Sequence, residues 1–177
     1  MREPLKRLQS ILNYEFLNLE LLETATTHRS VGMRNNERSE FLGDSILGFV
    51  IADQLFHRFP TADEGQLSRL RASLVKKETL AKIGHDLSVG KFLRLGQGEL
   101  KSGGHSRDSI LADAVEAIIA AIYLDAGYET TRQFILDLFD SHLQQISLKK
   151  GQKDPKTRYH ELFQSKKMLL PVYDVIE

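Results

Sequence analysis

Five carboxylates in two short stretches have the strongest claim to chemistry in this chain: Glu37, Glu40 and Asp44, then Asp113 and Glu116. On a helix, at 100° per residue, the first three point to about 0°, 300° and 340°, a single arc of about 60°. Gly48 continues that face and offers another backbone room to approach. The second pair sits in Ser109–Leu124, where Asp113 and Glu116 are the only charged residues among Ile, Leu, Ala, Val and Tyr. A helix apolar nearly all round is a buried helix. An unpaired ionised carboxylate there costs on the order of several kcal/mol. Asp113 and Glu116 must therefore be protonated, paired with a cation, or bound to a metal. Ala117 and Ala120 keep their side of the helix narrow, so another element can pack close. Brought together, the two stretches would form an all-oxygen site suited to Mg²⁺ or Mn²⁺ rather than to zinc or copper. One or two such ions activate water and stabilise phosphoryl oxygens.

Plainer readings stand beside this one. Acid pairs at helical spacing usually only solvate a surface, and Arg34 and Arg38 are near enough to pair with Glu37 and Glu40. For Asp113 and Glu116 the rival is a buried salt bridge to Arg69, Arg71 or Lys101. Other chemistries find less support. With no cysteine there is no thiol nucleophile, disulfide or Cys-ligated zinc. The six histidines are scattered and form no Glu-x-x-His pair. His28, between Thr27 and Arg29-Ser30, reads as a hydrogen-bonded structural residue. No Ser-His-Asp arrangement is legible, and the glycines of 96–104 match neither a P-loop nor a dinucleotide fingerprint. Lys101 and Arg107 are candidate phosphate contacts, with a solvated loop charge as the default.

The elements that must position the acids are helical almost throughout. Pro4 suits the first turn of a helix running to about Leu12, and a short helix covers about Leu19–Thr27. From Asn36 to about Phe59, the residues Phe41, Leu42, Ile46, Phe49, Val50, Asp53 and Phe56 trace one long helix ended by Pro60. Asp63-Glu64 opens another helix through Leu74, and Glu78–Leu87 makes a further short one. Four glycines between 96 and 104 predict a loop. Ser109–Leu124 is a helix stopped near Gly127, and Glu129–Ile146 is amphipathic through Ile135, Leu138, Phe139 and Leu143. The polar, basic run Ser147–Lys153 reads as a linker. Asp154-Pro155 then caps a new helix of about 155–166, and a strand could follow from Pro171. One helix and one strand cannot bury a core, so 155–177 reads as the start of a second domain or as an arm.

Composition is that of a folded domain, with 41% apolar and 27% charged residues. The longest strictly apolar run, Ala117–Leu124, is far short of a membrane helix, and no signal peptide is visible. A cytoplasmic location fits these features and the lack of cysteine. Twenty-four basic residues balance 24 acidic ones. Residues 1–145 are slightly acidic (17 basic, 20 acidic) and residues 146–177 basic (7 and 4). Charge alone does not mark a nucleic-acid binder.

The run Asn35-Asn36-Glu37-Arg38-Ser39-Glu40-Phe41-Leu42-Gly43-Asp44-Ser45 resembles the signature of the ribonuclease III family. Thr27-His28-Arg29-Ser30, Gly98–Gly104 and Asp113–Ala117 resemble further motifs of that family, in the same order. Asp154-Pro155-Lys156-Thr157 resembles the entry to its double-stranded-RNA-binding domain, although Tyr159-His160 replaces a usual Leu-Gln pair. The resemblance implies an all-α endonuclease domain (a helical bundle) over 1–146, a linker over 147–154, and over 155–177 the first helix and strand of an α+β RNA-binding domain. It implies a homodimeric, Mg²⁺-dependent endoribonuclease that hydrolyses double-stranded RNA by metal-activated water. Products would carry 5′-phosphate and 3′-hydroxyl ends with short 3′ overhangs, in the processing of ribosomal and other RNAs. By motif, Glu40, Asp44, Asp113 and Glu116 would be the metal ligands, with Asp44 and Glu116 central to catalysis. Glu37 and Glu64 would be supporting acids, and Phe41 would enter the partner subunit. Thr157, His160 and Gln164 would contact RNA. With the RNA-binding domain incomplete, affinity for RNA is expected to fall while cleavage at low salt persists. The rivals are a dimer that grips RNA without cutting, separable by adding a chelator, and a helical protein with internal salt bridges.

Overall fold

A computed structural model describes residues 2–147. Seven α-helices make up most of that span: α1 (Arg2–Leu12), α2 (Leu19–Ala25), α3 (Glu37–Arg58), α4 (Glu64–Val75), α5 (Lys77–Asp86), α6 (Gln97–Lys101) and α7 (Asp108–Gln145). Short 3-10 turns occupy 29–31, 89–92 and 104–106. No strand occurs among the described residues; Thr27 and Arg94 form an isolated parallel bridge. The expected linker and second unit, with Thr157, His160 and Gln164, lie outside the described residues.

Two long helices organise the rest. α3 carries Leu47, Val50, Ile51 and Leu55 on one side, and all four are buried. α7 buries Ile110, Leu111, Ala114, Val115, Ile118, Ile119 and Ile122, which together cover about half the circumference of its first half. Burial of this apolar surface, at about 25 cal/mol per Å², drives the two helices together. α5 packs along α7 and α4 against α3, while α1 and α2 close the core with Leu8, Leu12 and Leu22.

The helix ends follow local rules. α4 begins with a full capping box: Asp63 Oδ1 accepts the Gln66 N–H at 2.7 Å, and the Gln66 side chain accepts the Asp63 N–H at 2.9 Å. α7 is two helices joined across Gly127, whose φ of 80° and ψ of −173° break the ladder where the sequence predicts a stop. The glycine-rich stretch differs from the predicted loop. Residues 97–101 form one helical turn and 104–106 a 3-10 turn, and only Gly103 there has positive φ. Gly96 and Gly104 are tight spots, since a Cβ would lie 2.4 Å from the Ser30 carbonyl oxygen at the first and 2.8 Å from the Glu99 carbonyl oxygen at the second.

Candidate metal centre

α3 and α7 touch backbone to backbone at Gly43. A Cβ there would lie 1.9 Å from the carbonyl oxygen of Glu116, so only glycine lets the α7 backbone reach this point. Gly48, expected to serve this purpose, has nothing within 4 Å of its Cβ position. The two glycines lie on different sides of α3, about 140° apart around its axis. This approach of two backbones puts acids from separate helices into one place. One carboxylate oxygen each from Glu40, Asp113 and Glu116 lies within 4.8 Å of the others.

These side chains are half-buried rather than fully buried, because α7 exposes one edge of its otherwise apolar surface here. Burial, with repulsion from Asp44, Glu40 and Asp113, pushes Glu116 up to about 8. Burial also raises Glu40, with Asp113, Glu37 and Asp44 adding to the rise and Arg29 opposing it. Asp113 is raised by burial against the opposing pull of Lys77, His28 and Arg29. The charges that raise Glu116 are carboxylates, including Asp44, which is exposed one turn beyond Glu40. A dense set of hard oxygen donors that repel one another fits a divalent cation, which replaces repulsion with coordination.

The remaining predicted residues sort differently. Glu37 accepts from Arg29 at 3.3 Å rather than from Arg34 or Arg38; Arg34 pairs with Glu20 at 2.8 Å. Glu64 is not brought to the cluster by this chain. It accepts the Ser68 hydroxyl at 2.7 Å and lines a separate groove with Phe49, Phe56, Leu67 and Arg71. Phe41 is 77% exposed. Arg107 is held by Glu99 at 2.6 Å and by the Ser102 hydroxyl at 3.1 Å, and Lys101 ends α6. His28 is the expected structural residue: its Nδ1 lies 2.8 Å from the Ser30 hydroxyl and accepts the Ser30 N–H at 3.2 Å. The sequence reading missed Gly43, Arg29 and Lys77. Gly43 lies inside the signature run, but only the facing backbone shows which glycine must be small.

Comparison with known proteins agrees with this geometry. Residues 18–143 match the family described as Ribonuclease-III-like. The chain is 57% identical over 176 residues to Ribonuclease 3 of Hahella chejuensis, covering 99% of this chain and 78% of that protein. It is 55% identical over 175 residues to Ribonuclease 3 of Vibrio cholerae, with the same coverage. The crystal structure of the nuclease domain of ribonuclease III from Campylobacter jejuni superposes with a TM-score of 0.76 at 44% identity, over 80% of this chain and 97% of that one. The chain belongs to the ribonuclease III family. It is an endoribonuclease, and its described part is the helical nuclease fold of that family.

Proposed function

We propose that this endoribonuclease cuts double-stranded RNA at the α3–α7 carboxylate cluster, with Glu40, Asp44, Asp113 and Glu116 as ligands for Mg²⁺, or Mn²⁺ in its place. The observation that carries this reading is the convergence of Glu40, Asp113 and Glu116 oxygens within 4.8 Å of one another, on two helices locked together at Gly43. When bound, the ion supplies water activation and charge neutralisation at the phosphoryl oxygens. The protein supplies position. Four acids stand on the two most deeply packed helices, so their placement is set by core packing rather than by loops. Glu116 would have to give up its proton to act as a ligand, since its burial and its neighbours favour the protonated form in the absence of a cation. Glu37 holds Arg29 beside the site.

The same reading makes the enzyme a homodimer through α3. Phe41, Phe49 and Phe56 are 77%, 60% and 66% exposed and fall within an arc of about 80° on that helix. A stripe of three exposed phenylalanines favours burial against a second copy. A relevant neighbour is described in terms of a region involved in dimer formation, the nuclease domain of ribonuclease III from Campylobacter jejuni. The end of α7 at Gln145 supports a nuclease domain over 1–146.

The test is incubation with a long RNA duplex and Mg²⁺. The expected products are short duplexes with 5′-phosphate and 3′-hydroxyl ends and short 3′ overhangs, and chelator stops the reaction. A duplex that is bound but left intact in Mg²⁺ would sink the proposal in favour of a non-cutting binder.

A further inference from the structure

Cations flank the carboxylate cluster from two separate elements. Arg29 opens the 3-10 turn 29–31, and its guanidinium lies 3.3 Å from Glu37 with both side chains largely exposed. This turn is firmly held. The Ser30 hydroxyl accepts the Gly96 N–H at 2.8 Å, and the His28 N–H donates to the Arg94 carbonyl at 3.0 Å. A Cβ on Gly96 would lie 2.4 Å from the Ser30 carbonyl oxygen, so the two segments touch backbone to backbone. Arg29 therefore projects from a fixed base.

Lys77 comes from a second element, as the first residue of α5. α5 runs antiparallel to α7: His85 pairs with Asp108 at 3.2 Å, while a Cβ on Gly84 would meet Leu111 at 3.1 Å and Val115 at 3.5 Å. Lys77 stands two turns before Gly84, about 10 Å back along the axis. That places it alongside α7, exposed and close enough to act on Asp113. Both cations act on Asp113, and Arg29 acts on Glu40 as well.

Their arrangement fits a phosphodiester chain. The carboxylates would take up the charge of any divalent ion they hold, so phosphates beyond the reacting one need cations from the protein. Arg29, with its planar fork and its single exposed acid partner, can exchange a carboxylate for a phosphate oxygen at little cost. Lys77 has the compact point charge that suits a backbone phosphate.

We propose that Arg29 and Lys77 hold phosphates of the RNA strand beside the carboxylate cluster, Arg29 leaving Glu37 for a phosphate oxygen as the duplex enters. This rests on the endoribonuclease reading above. The test uses the full chain carrying Glu116→Gln, which removes cutting, and measures binding of a long RNA duplex as a function of salt. Adding Arg29→Gln or Lys77→Gln is expected to weaken binding severalfold and to reduce the slope of log K against log salt by about one each. The melting temperature should stay unchanged. Arg34→Gln, whose side chain is engaged with Glu20, is the control and should leave the slope alone. Unchanged slopes in both variants overturn the proposal, as does a changed Mn²⁺ affinity with an unchanged slope, which would make the two cations mere counter-charges for the acids. Cleavage by the unsubstituted protein tests the parent reading separately.

Discussion

Two carboxylates on α7, Glu116 and Asp125, sit fewer than three turns apart and meet opposite surroundings. Burial would raise Asp125, but the N–H of Asn18, the hydroxyl of Tyr14 and the N–H of Leu17 outweigh it and hold the group low. Those donors lie at 2.8, 2.7 and 2.9 Å and pin the segment between α1 and α2 to the end of the first half of α7. Glu116 has acids for neighbours and is pushed up to about 8. An acid surrounded by donors ties a structure together. An acid surrounded by acids weakens it unless a cation arrives, and such a cost is retained where function needs it.

Breaking each member should therefore do different things. The largest effect falls on catalysis. Glu116→Gln keeps size and removes charge, and cleavage of a duplex in Mg²⁺ should drop by on the order of a thousandfold or more, the scale on which central catalytic groups act. In chelator, at a pH above about 8 where Glu116 is ionised, the same variant should melt higher than the parent protein, because the repulsion is gone. Full activity in Mg²⁺ would end the assignment.

Next comes the geometry that permits the cluster. Gly43→Ala places a methyl group against the Glu116 backbone and should cost about 3 kcal/mol, read by urea unfolding, with loss of metal response. Gly48→Ala, with open space around it, should cost nothing and gain up to about 1 kcal/mol from helix propensity. Equal costs at the two glycines would show that the helices do not meet at Gly43.

Asp125→Ala should cost about 2 kcal/mol, because it leaves three donors without their charged acceptor. Cleavage per folded molecule should be unchanged. A loss of activity larger than the loss of folded protein would make Asp125 part of the site.

The smallest effect is on pH dependence, and its sign separates the two acids. Glu116 is raised from 4.5 to about 8, so the unfolded chain releases this proton first, and the metal-free protein should lose stability as pH rises across that window. Glu40 and Asp113 are shifted the same way and add to the trend. Asp125 is lowered, so its contribution is present above its unfolded value and fades as pH falls through the folded one. Melting curves in chelator should thus fall by a few degrees from pH 5 to pH 8, and Mg²⁺ should restore the loss at pH 8. A flat profile that Mg²⁺ does not move would leave the acids uncoupled.

Much of this was readable from residue order, because helical periodicity is local. The 3.6-residue repeat put Glu40 and Asp44 on one face of α3, and the apolar run of 109–124 marked Asp113 and Glu116 as out of place there. Pro60 and Gly127 marked ends for the same local reason, a missing N–H and a permitted positive φ. The signature run from Asn35 to Ser45 pointed to the family that the comparisons bear out.

What the chain alone could not decide was which surfaces meet. Choosing Gly43 over Gly48 needs the facing carbonyl of Glu116, which is 73 positions away. Pairing Glu37 with Arg29 rather than with a helical neighbour needs the 3-10 turn to fold back beside α3. Separating Glu64 from the cluster needs the packing of α4 against the far half of α3. Linking Asp125 to Tyr14 joins opposite ends of the domain. Sequence fixes the direction of a side chain around its own helix axis, through bonds. Its partners depend on the crossing and register of separate helices, which only the packed core sets.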